Sequence, residues 1–429
     1  MADFLFNYAG YIAIVLLFLF MILGVPVFVS MGLSALFASL LINDPSHVLR
    51  TFIQTTWQSA SIFEMVALPL FIFTGTIMQC TDAGRDLFAV TKAWVGSVSN
   101  SLGVATILAC GIFAAISGSS IATAATVGLV AIPLLREESY GDRRSTGFVA
   151  GGGTLGIIIP PSIPLILYGV MTETSIGQLF IAGIVPGIVM LSLFAIYVYV
   201  SRPRVRVMHS MTAAERWRTT GNSIGIILLP IAIIAAIYTG VFTPTEVGAL
   251  SVVYVVALGF VQRRLTWSKL RAAALLATKT TGMLYMLIVF GQYFAHFLTY
   301  EQIPQVIANA IVANAGGVGA VTLMILTYVV LGMFLESTAM LLISIPIFAP
   351  VAQQAGMTPI TFGVFACVAM EIAQISPPVG VNLFTINGIT RIPLWTIAKG
   401  AMPFLVMQII MLYLVYYLPA LTLWLPGTT

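Results

Sequence analysis

Two polar clusters interrupt long apolar runs in this sequence, Ser117-Gly118-Ser119-Ser120 and Glu336-Ser337-Thr338. Each precedes a double proline inside a second apolar run: Pro160-Pro161 followed by Ser162, and Pro377-Pro378 followed by Gly380 and Asn382. Consecutive prolines remove amide donors and clash with the preceding turn, so a helix is expected to break at each pair. Carbonyls freed at such a break coordinate a small hard cation, and the positive end of the following half-helix favours a carboxylate. The clients this chemistry suits are sodium, as a coupling ion rather than a resident cofactor, and an organic anion. Candidate sodium positions are Ser117, Gly118, Ser119, Ser120 and Pro160 in the first region, and Glu336, Ser337, Thr338, Pro377 and Gly380 in the second. Ser162, Glu371 and Asn382 are candidates for the substrate path. Either double proline taken singly could just kink a span; two of them, each preceded by a polar tip, point to a paired device.

The two acids in these regions each carry alternatives. A charge at membrane depth is costly, so Glu336 and Glu371 either line the path, carry a proton at times, or pair internally. Glu336 stands at the second tip and can stabilise it by hydrogen bonding. Glu371 lies about two helical turns before Pro377, where a structural hydrogen bond and ion coordination are both open.

These residues need elements that hold them inside a membrane. The chain has 429 residues, 59% hydrophobic and 7% charged, against about 25% charged in a soluble domain. Its uncharged runs provide roughly eleven to thirteen spans or half-spans of a bilayer. They are continuously apolar rather than alternating, which argues against an outer-membrane barrel. The net charge of +4 is spread over loops and gives no sign of nucleic-acid binding. Cys80, Cys110 and Cys367 form no redox or ligand spacing, and His47, His209 and His296 are widely separated in sequence. The first apolar run reads as retained structure rather than a signal peptide. Residues 44–64 are less hydrophobic than their flanks and read as an interfacial arm. The tryptophans stand mostly at run edges, as interface anchors do. Gly151-Gly152-Gly153 is explained by close helix packing, with mobility as the sharper alternative.

Basic residues cluster at 136–144, 202–218 and 263–279. An even number of apolar segments separates successive clusters, so all three share one side, expected to be cytoplasmic. One further span puts Glu301 on the other side. The two regions also share landmarks in one order: polar tip, Ile-Pro, loop glycine, double proline. Ser117 to Pro160 is 43 residues and Ser337 to Pro377 is 40. With the parity count this predicts an internal repeat of inverted topology, each half holding a re-entrant hairpin and a broken helix. Hairpin legs of about 103–116 and 121–135 would span roughly 21 Å, short of the hydrocarbon core. The fold class expected is an all-α polytopic membrane protein. Its parts are scaffold helices and arm in 1–92, the first repeat with its following span in 93–200, linking helices in 201–316, the second repeat in 317–390 and a last span in 391–429.

The motifs LPLFIFTG at 68–75, ISGSSIATAATVG at 116–128, GTLGIIIPPSIPLILYG at 153–169, LFIAGIVPG at 179–187, GVFTPTEVGA at 240–249, GMFLESTAMLLISIPIFAP at 332–350 and ISPPVGVNLF at 375–384 run through nearly the whole chain. In this order they resemble the large membrane subunit of tripartite ATP-independent periplasmic (TRAP) transporters, the DctM or SiaM type. The resemblance implies a sodium-coupled importer of the bacterial inner membrane, with an elevator mechanism and a fold related to divalent-anion/sodium symporters. It also implies a small four-helix membrane subunit of the DctQ/SiaQ type and a soluble periplasmic binding protein of the DctP/SiaP type. No additional four-span unit is visible in the sequence, so the unfused form is expected. Substrates implied are dicarboxylates, sialic acids, sugar acids or keto acids. The competing reading is an organic-anion symporter, coupled to sodium or protons, that needs no binding protein. A membrane enzyme is disfavoured, because no HExxH run, nucleophile elbow or histidine-carboxylate cluster occurs.

Overall fold

The computed structural model describes residues 2–96, 98, 100–201, 211–378 and 380–428, with side chains from residue 8 to 427 of these. Arg202, Arg204, Arg206 and His209, part of the second basic cluster, lie outside the described residues. The helices are α1 (Ala2–Ile22), α2 (Val27–Ile42), α3 (Pro45–Ala60), α4 (Ala67–Cys80), α5 (Ala83–Val95), α6 (Ser101–Ser117), α7 (Ser120–Glu137), α8 (Gly141–Thr154) and α9 (Ile163–Thr172). After them come α10 (Ile176–Val200), α11 (Ala213–Tyr238), α12 (Pro244–Val261), α13 (Trp267–Tyr300), α14 (Ile303–Gly332), α15 (Ser337–Gln354), α16 (Pro359–Ile375), α17 (Val381–Thr390) and α18 (Leu394–Tyr417). No strand occurs among the described residues, and nine of their helices are long and apolar enough to cross a membrane.

The tips and breaks fall where the sequence places them. Helices α6 and α7 meet at Gly118 and Ser119, and α8 and α9 are separated by the stretch that contains Pro160 and Pro161. In the second region α14 and α15 meet at 333–336, and α16 and α17 are separated by the stretch that contains Pro377 and Pro378. The legs α6 and α7 have 17 and 18 residues, roughly 26 Å each, longer than expected. Helix persists through Ser117 and resumes at Ser120, because a two-residue turn suffices when Gly118 takes φ 59° and Ser119 caps α7. Within α14, Gly316 leaves helical geometry at φ 66°, ψ −179°, dividing the helix there.

Packing on α18 sets the relative direction of the matching helices. Along α8, Arg143, Gly151 and Thr154 meet Lys399, Phe404 and Gln408 in turn, so α8 and α18 run the same way. Along α16, Thr361 bonds to Thr422 beyond the end of α18, and Glu371 bonds to Gln408. Helix α16 therefore runs opposite to α18 and to α8. The α8–α18 contact is close because glycine faces glycine: a Cβ on Gly400 would lie 2.0 Å from the Arg143 carbonyl oxygen and 3.0 Å from the Gly147 Cα. Gly151, Gly152 and Gly153 abut Phe404, Cys110 and Ala124 in the same tight manner, which is the packing role expected of them.

Contacts also gather the basic clusters at one end. Arg143 donates to the Lys399 carbonyl, Arg144 to Ser201, and Arg264 to Asp86 of α5. Trp94, also on α5, donates to Thr220 and packs edge-on against Trp217 near the start of α11. Residues 45–60 form the separate amphipathic helix α3, with Leu49, Ile53 and Trp57 exposed on one face. All six tryptophans, Trp57, Trp94, Trp217, Trp267, Trp395 and Trp424, are exposed, as interface anchors require. Thr243 and Glu246 form a reciprocal capping box that starts α12, giving that tight turn a structural explanation.

Candidate functional site

At the first tip, the Ser119 hydroxyl accepts from the Ala122 amide at 3.3 Å and so caps α7. Ser117 Oγ is shared between Thr123 Oγ1 at 3.2 Å and the Ser119 backbone at 3.4 Å. The tip is pressed onto the first break. A Cβ on Gly118 would lie 2.5 Å from the Pro161 carbonyl oxygen, and one on Gly156 would lie 2.7 Å from the Ser119 carbonyl carbon. Ser162, fully buried, donates to the Ile157 carbonyl and accepts from the Leu165 amide, capping α9. Pro160 is buried beside it.

The second tip is capped by charge. Glu336 Oε2 accepts from the Ala339 amide at 3.1 Å, and Oε1 accepts from the hydroxyls of Thr338 at 2.9 Å and Ser337 at 3.3 Å. Its carboxylate is thus engaged in holding the start of α15, the stabilising alternative among those open to it. Pro377 is half-buried, and Gly380 accepts from the Leu383 amide at 2.8 Å to begin α17.

An amide side chain reaches each tip. Asn382 of α17 donates to Ser120 Oγ at 2.6 Å, bringing together residues of the two regions, and Gln374 of α16 donates to Ser337 Oγ. Both amides are buried, and Asn382 Oδ1 and Gln374 Oε1 have no hydrogen-bond partner. A buried acceptor without a donor is costly, and an amide oxygen beside hydroxyls is suited to a hard cation. Glu371 is set apart from this arrangement, hydrogen-bonded to Gln408 at 3.3 Å.

A cavity of about 1140 Å³ lies elsewhere, between α3 and α13 on one side and α9 and α15 on the other. Its walls include His47, Gln54, Gln58, Glu173, Gln292 and His296. None of the predicted site residues lines it, so this cavity and the tips are distinct places. The tips hold polar hydroxyls, orphaned oxygens and broken backbone; the cavity offers room, polar groups and the carboxyl of Glu173. His47 and His296, distant in sequence, face this one space. Gln374, Gln408, Thr154 and the cavity wall are absent from the sequence prediction. The available signals were lone glutamines in apolar helices and the polar stripe of 44–64.

Capped hairpin tips, two broken helices and membrane-length spans define a polytopic membrane transporter. The chain belongs to the TRAP transporter family as its large permease: the family model "Tripartite ATP-independent periplasmic transporter, DctM component" matches residues 14–421. It is 39% identical to the C4-dicarboxylate TRAP transporter large permease protein DctM of Pseudomonas aeruginosa, over 93% of this chain and 94% of that one. It is 32% identical to the isethionate TRAP transporter permease protein DctMQ of Oleidesulfovibrio alaskensis, over 95% of this chain but 65% of that one. Among solved structures, Neisseria gonorrhoeae MtrF, described as illuminating a class of antimetabolite efflux pumps, shares the fold with a TM-score of 0.60 at 15% identity, covering 86% of this chain and 83% of that one. These TRAP relatives are permeases of organic acids, not enzymes.

Proposed function

We propose that this chain imports an organic anion of the C4-dicarboxylate class across the bacterial inner membrane, drawing on sodium and moving a body built from both hairpins and both broken helices against a scaffold. The single observation that carries the sodium reading is the pair of hydroxyl–amide contacts, Ser120 with Asn382 and Ser337 with Gln374, each leaving a buried amide oxygen without a partner. A sodium ion at each tip would take that oxygen together with freed carbonyls. The opposite directions of α8 and α16 favour an inverted repeat, with binding at the junction of the halves. The scaffold comprises most of residues 1–92 and 201–316. The repeat units 93–200 and 317–390, with the last span 391–429 packed on α8 and α16, form the moving part. The gathered basic end is cytoplasmic. The cavity beside Glu173 and Tyr300 is then an outward vestibule through which substrate reaches the tips.

A small membrane subunit of the DctQ/SiaQ type and a soluble binding protein of the DctP/SiaP type complete the system. The DctMQ relative, longer than this chain and named for both parts, favours the first. Reconstituting the chain with both partners in liposomes and following labelled C4-dicarboxylate with sodium or potassium outside tests the reading. Uptake is expected only with sodium and with both partners. Equal uptake in the two salts would refute sodium coupling, and full uptake by this chain alone would refute the tripartite reading.

A further inference from the structure

Glu371, on α16, is the one fully buried acidic side chain among the described residues. Its Oε2 accepts from Gln408 Nε2 at 3.3 Å, and its Oε1 has no partner. Gln408, equally buried on α18, places one amide hydrogen there and the other on Thr154 Oγ1 of α8 at 2.8 Å; its own Oε1 also has no partner. The Thr154 hydroxyl donates in turn to the Gly151 carbonyl at 2.7 Å, so its hydrogen is not available to the carboxyl group.

The surroundings hold no counter-charge. Helices α8, α9, α10, α14, α15, α17 and α18 and the short helix Ala420–Leu423 pack against α16. The charged residues they contain are Asp142, Arg143 and Arg144 near the start of α8, and Lys399 near the start of α18. These lie about 13 Å or more along the helix axes from Thr154 and Gln408. The titratable neighbours are Cys367, one turn earlier on α16, and Tyr168 and Tyr328 around that cysteine. An ionised carboxylate with one neutral donor in such a place is strongly disfavoured. A sodium ion would need a shell of oxygens, yet Gln408 turns its NH2 group toward the carboxyl and Thr154 is already engaged. A proton needs one acceptor, and Gln408 Oε1 is on the group already bonded to the acid.

We infer that Glu371 is a proton-binding site: the neutral acid donates from Oε1 to Gln408 Oε1 while Oε2 accepts from Gln408 Nε2, so that carboxyl and carboxamide pair edge to edge. One proton thereby satisfies both orphaned oxygens. The pair joins α16 of the second repeat to α18 and, through Thr154, to α8 of the first. Glu371 then crosses with the moving body as an uncharged group, leaving sodium and substrate as the carriers of charge.

Infrared difference spectra of the purified complex, without sodium or substrate, test this. The parent should show a protonated-carboxyl C=O band at neutral pH that is missing from Glu371→Gln. Glu371→Gln, which can pair amide to amide, should keep the parent's melting temperature, and the exchange Glu371→Gln with Gln408→Glu should restore the band. Gln408→Leu should lower the melting temperature by leaving the acid unpaired. Absence of the band from the parent would overturn the inference, as would a Glu371→Gln protein that loses as much stability as Gln408→Leu. Because no readout involves sodium, failure here leaves the sodium reading untouched, and the reverse holds as well.

Discussion

The two tips are built alike in different surroundings, each a capped helix start reached by a buried amide side chain. The first is enclosed: Ser117, Gly118 and Ser120 are buried, as are Pro160, Pro161 and Ser162. Two neighbouring glycines allow backbone to close over this site. A Cβ on Gly75 of α4 would come within 3.0 Å of the Ser117 carbonyl oxygen, and one on Gly183 of α10 within 2.7 Å of the Ile158 carbonyl oxygen. The second tip is open: Glu336 and Thr338 are half-buried, Pro378 is exposed, and Phe334 is 67% exposed. Their caps differ accordingly, a neutral serine inside and a carboxylate outside. Their amide partners differ too, since Asn382 crosses between the repeats whereas Gln374 stays within its own. A close-packed backbone tolerates no added atom, whereas a half-open tip can relax, so equivalent substitutions should not have equivalent effects.

The largest effect should follow Gly118→Ala. The left-handed φ of 59° disfavours any side chain, and the added Cβ would meet the Pro161 carbonyl at 2.5 Å. Uptake in liposomes should fall to background, while Thr338→Ala at the open tip should retain most of the parent rate. Comparable losses at the two positions would break the contrast between closed and open tips.

Asn382→Ala should come next, raising the sodium concentration for half-maximal uptake roughly ten- to hundredfold by removing a cation ligand and a tie between repeats. Gln374→Ala should raise it by about tenfold at most, because the half-buried Glu336 and Thr338 leave the second tip room to relax around the lost ligand. A sodium titration of both variants checks the order, and a larger shift for Gln374→Ala would reverse it.

How far the sequence reaches differs between these same features. Pro160-Pro161 and Pro377-Pro378 announce their breaks because the missing amide donor is a property of the residue itself. Serine and glycine at 117–120 likewise announce a turn. Asn382 was legible as polar in an apolar segment, but its bond to Ser120 joins residues 262 positions apart, and no local rule predicts that pairing. Gln374, Gln408 and Thr154 went unread because a single polar residue on an apolar helix says nothing of its partner. The leg lengths were underestimated because the turn at Gly118–Ser119 takes only two residues and because both helices run on at their outer ends, from Ser101 and through Glu137.

A smaller effect is expected from Glu336→Ala, which removes the cap of α15. The cost should be about 1 kcal/mol, read as a lower melting temperature, with Glu336→Ser recovering most of it. Failure of serine to recover stability, with sodium affinity lost as well, would make Glu336 a direct ion ligand and bring the two tips further apart in chemistry. Smallest of all should be His47→Ala or His296→Ala in the cavity wall. Either should change the substrate concentration for half-maximal uptake by roughly two- to fivefold, the worth of one neutral hydrogen bond, and leave the sodium dependence unchanged. An altered sodium dependence would connect the vestibule to the tips more closely than the geometry indicates.

Radiolabelled sodium binding to the purified complex addresses the paired sites without relying on transport. The parent, Asn382→Ala, Gln374→Ala and the double variant would be compared after each is shown to assemble. Each single variant should keep sodium binding at the tip left intact, and the double variant should lose it. A double variant that binds sodium as the parent does would contradict the assignment of the two hydroxyl–amide tips as ion sites.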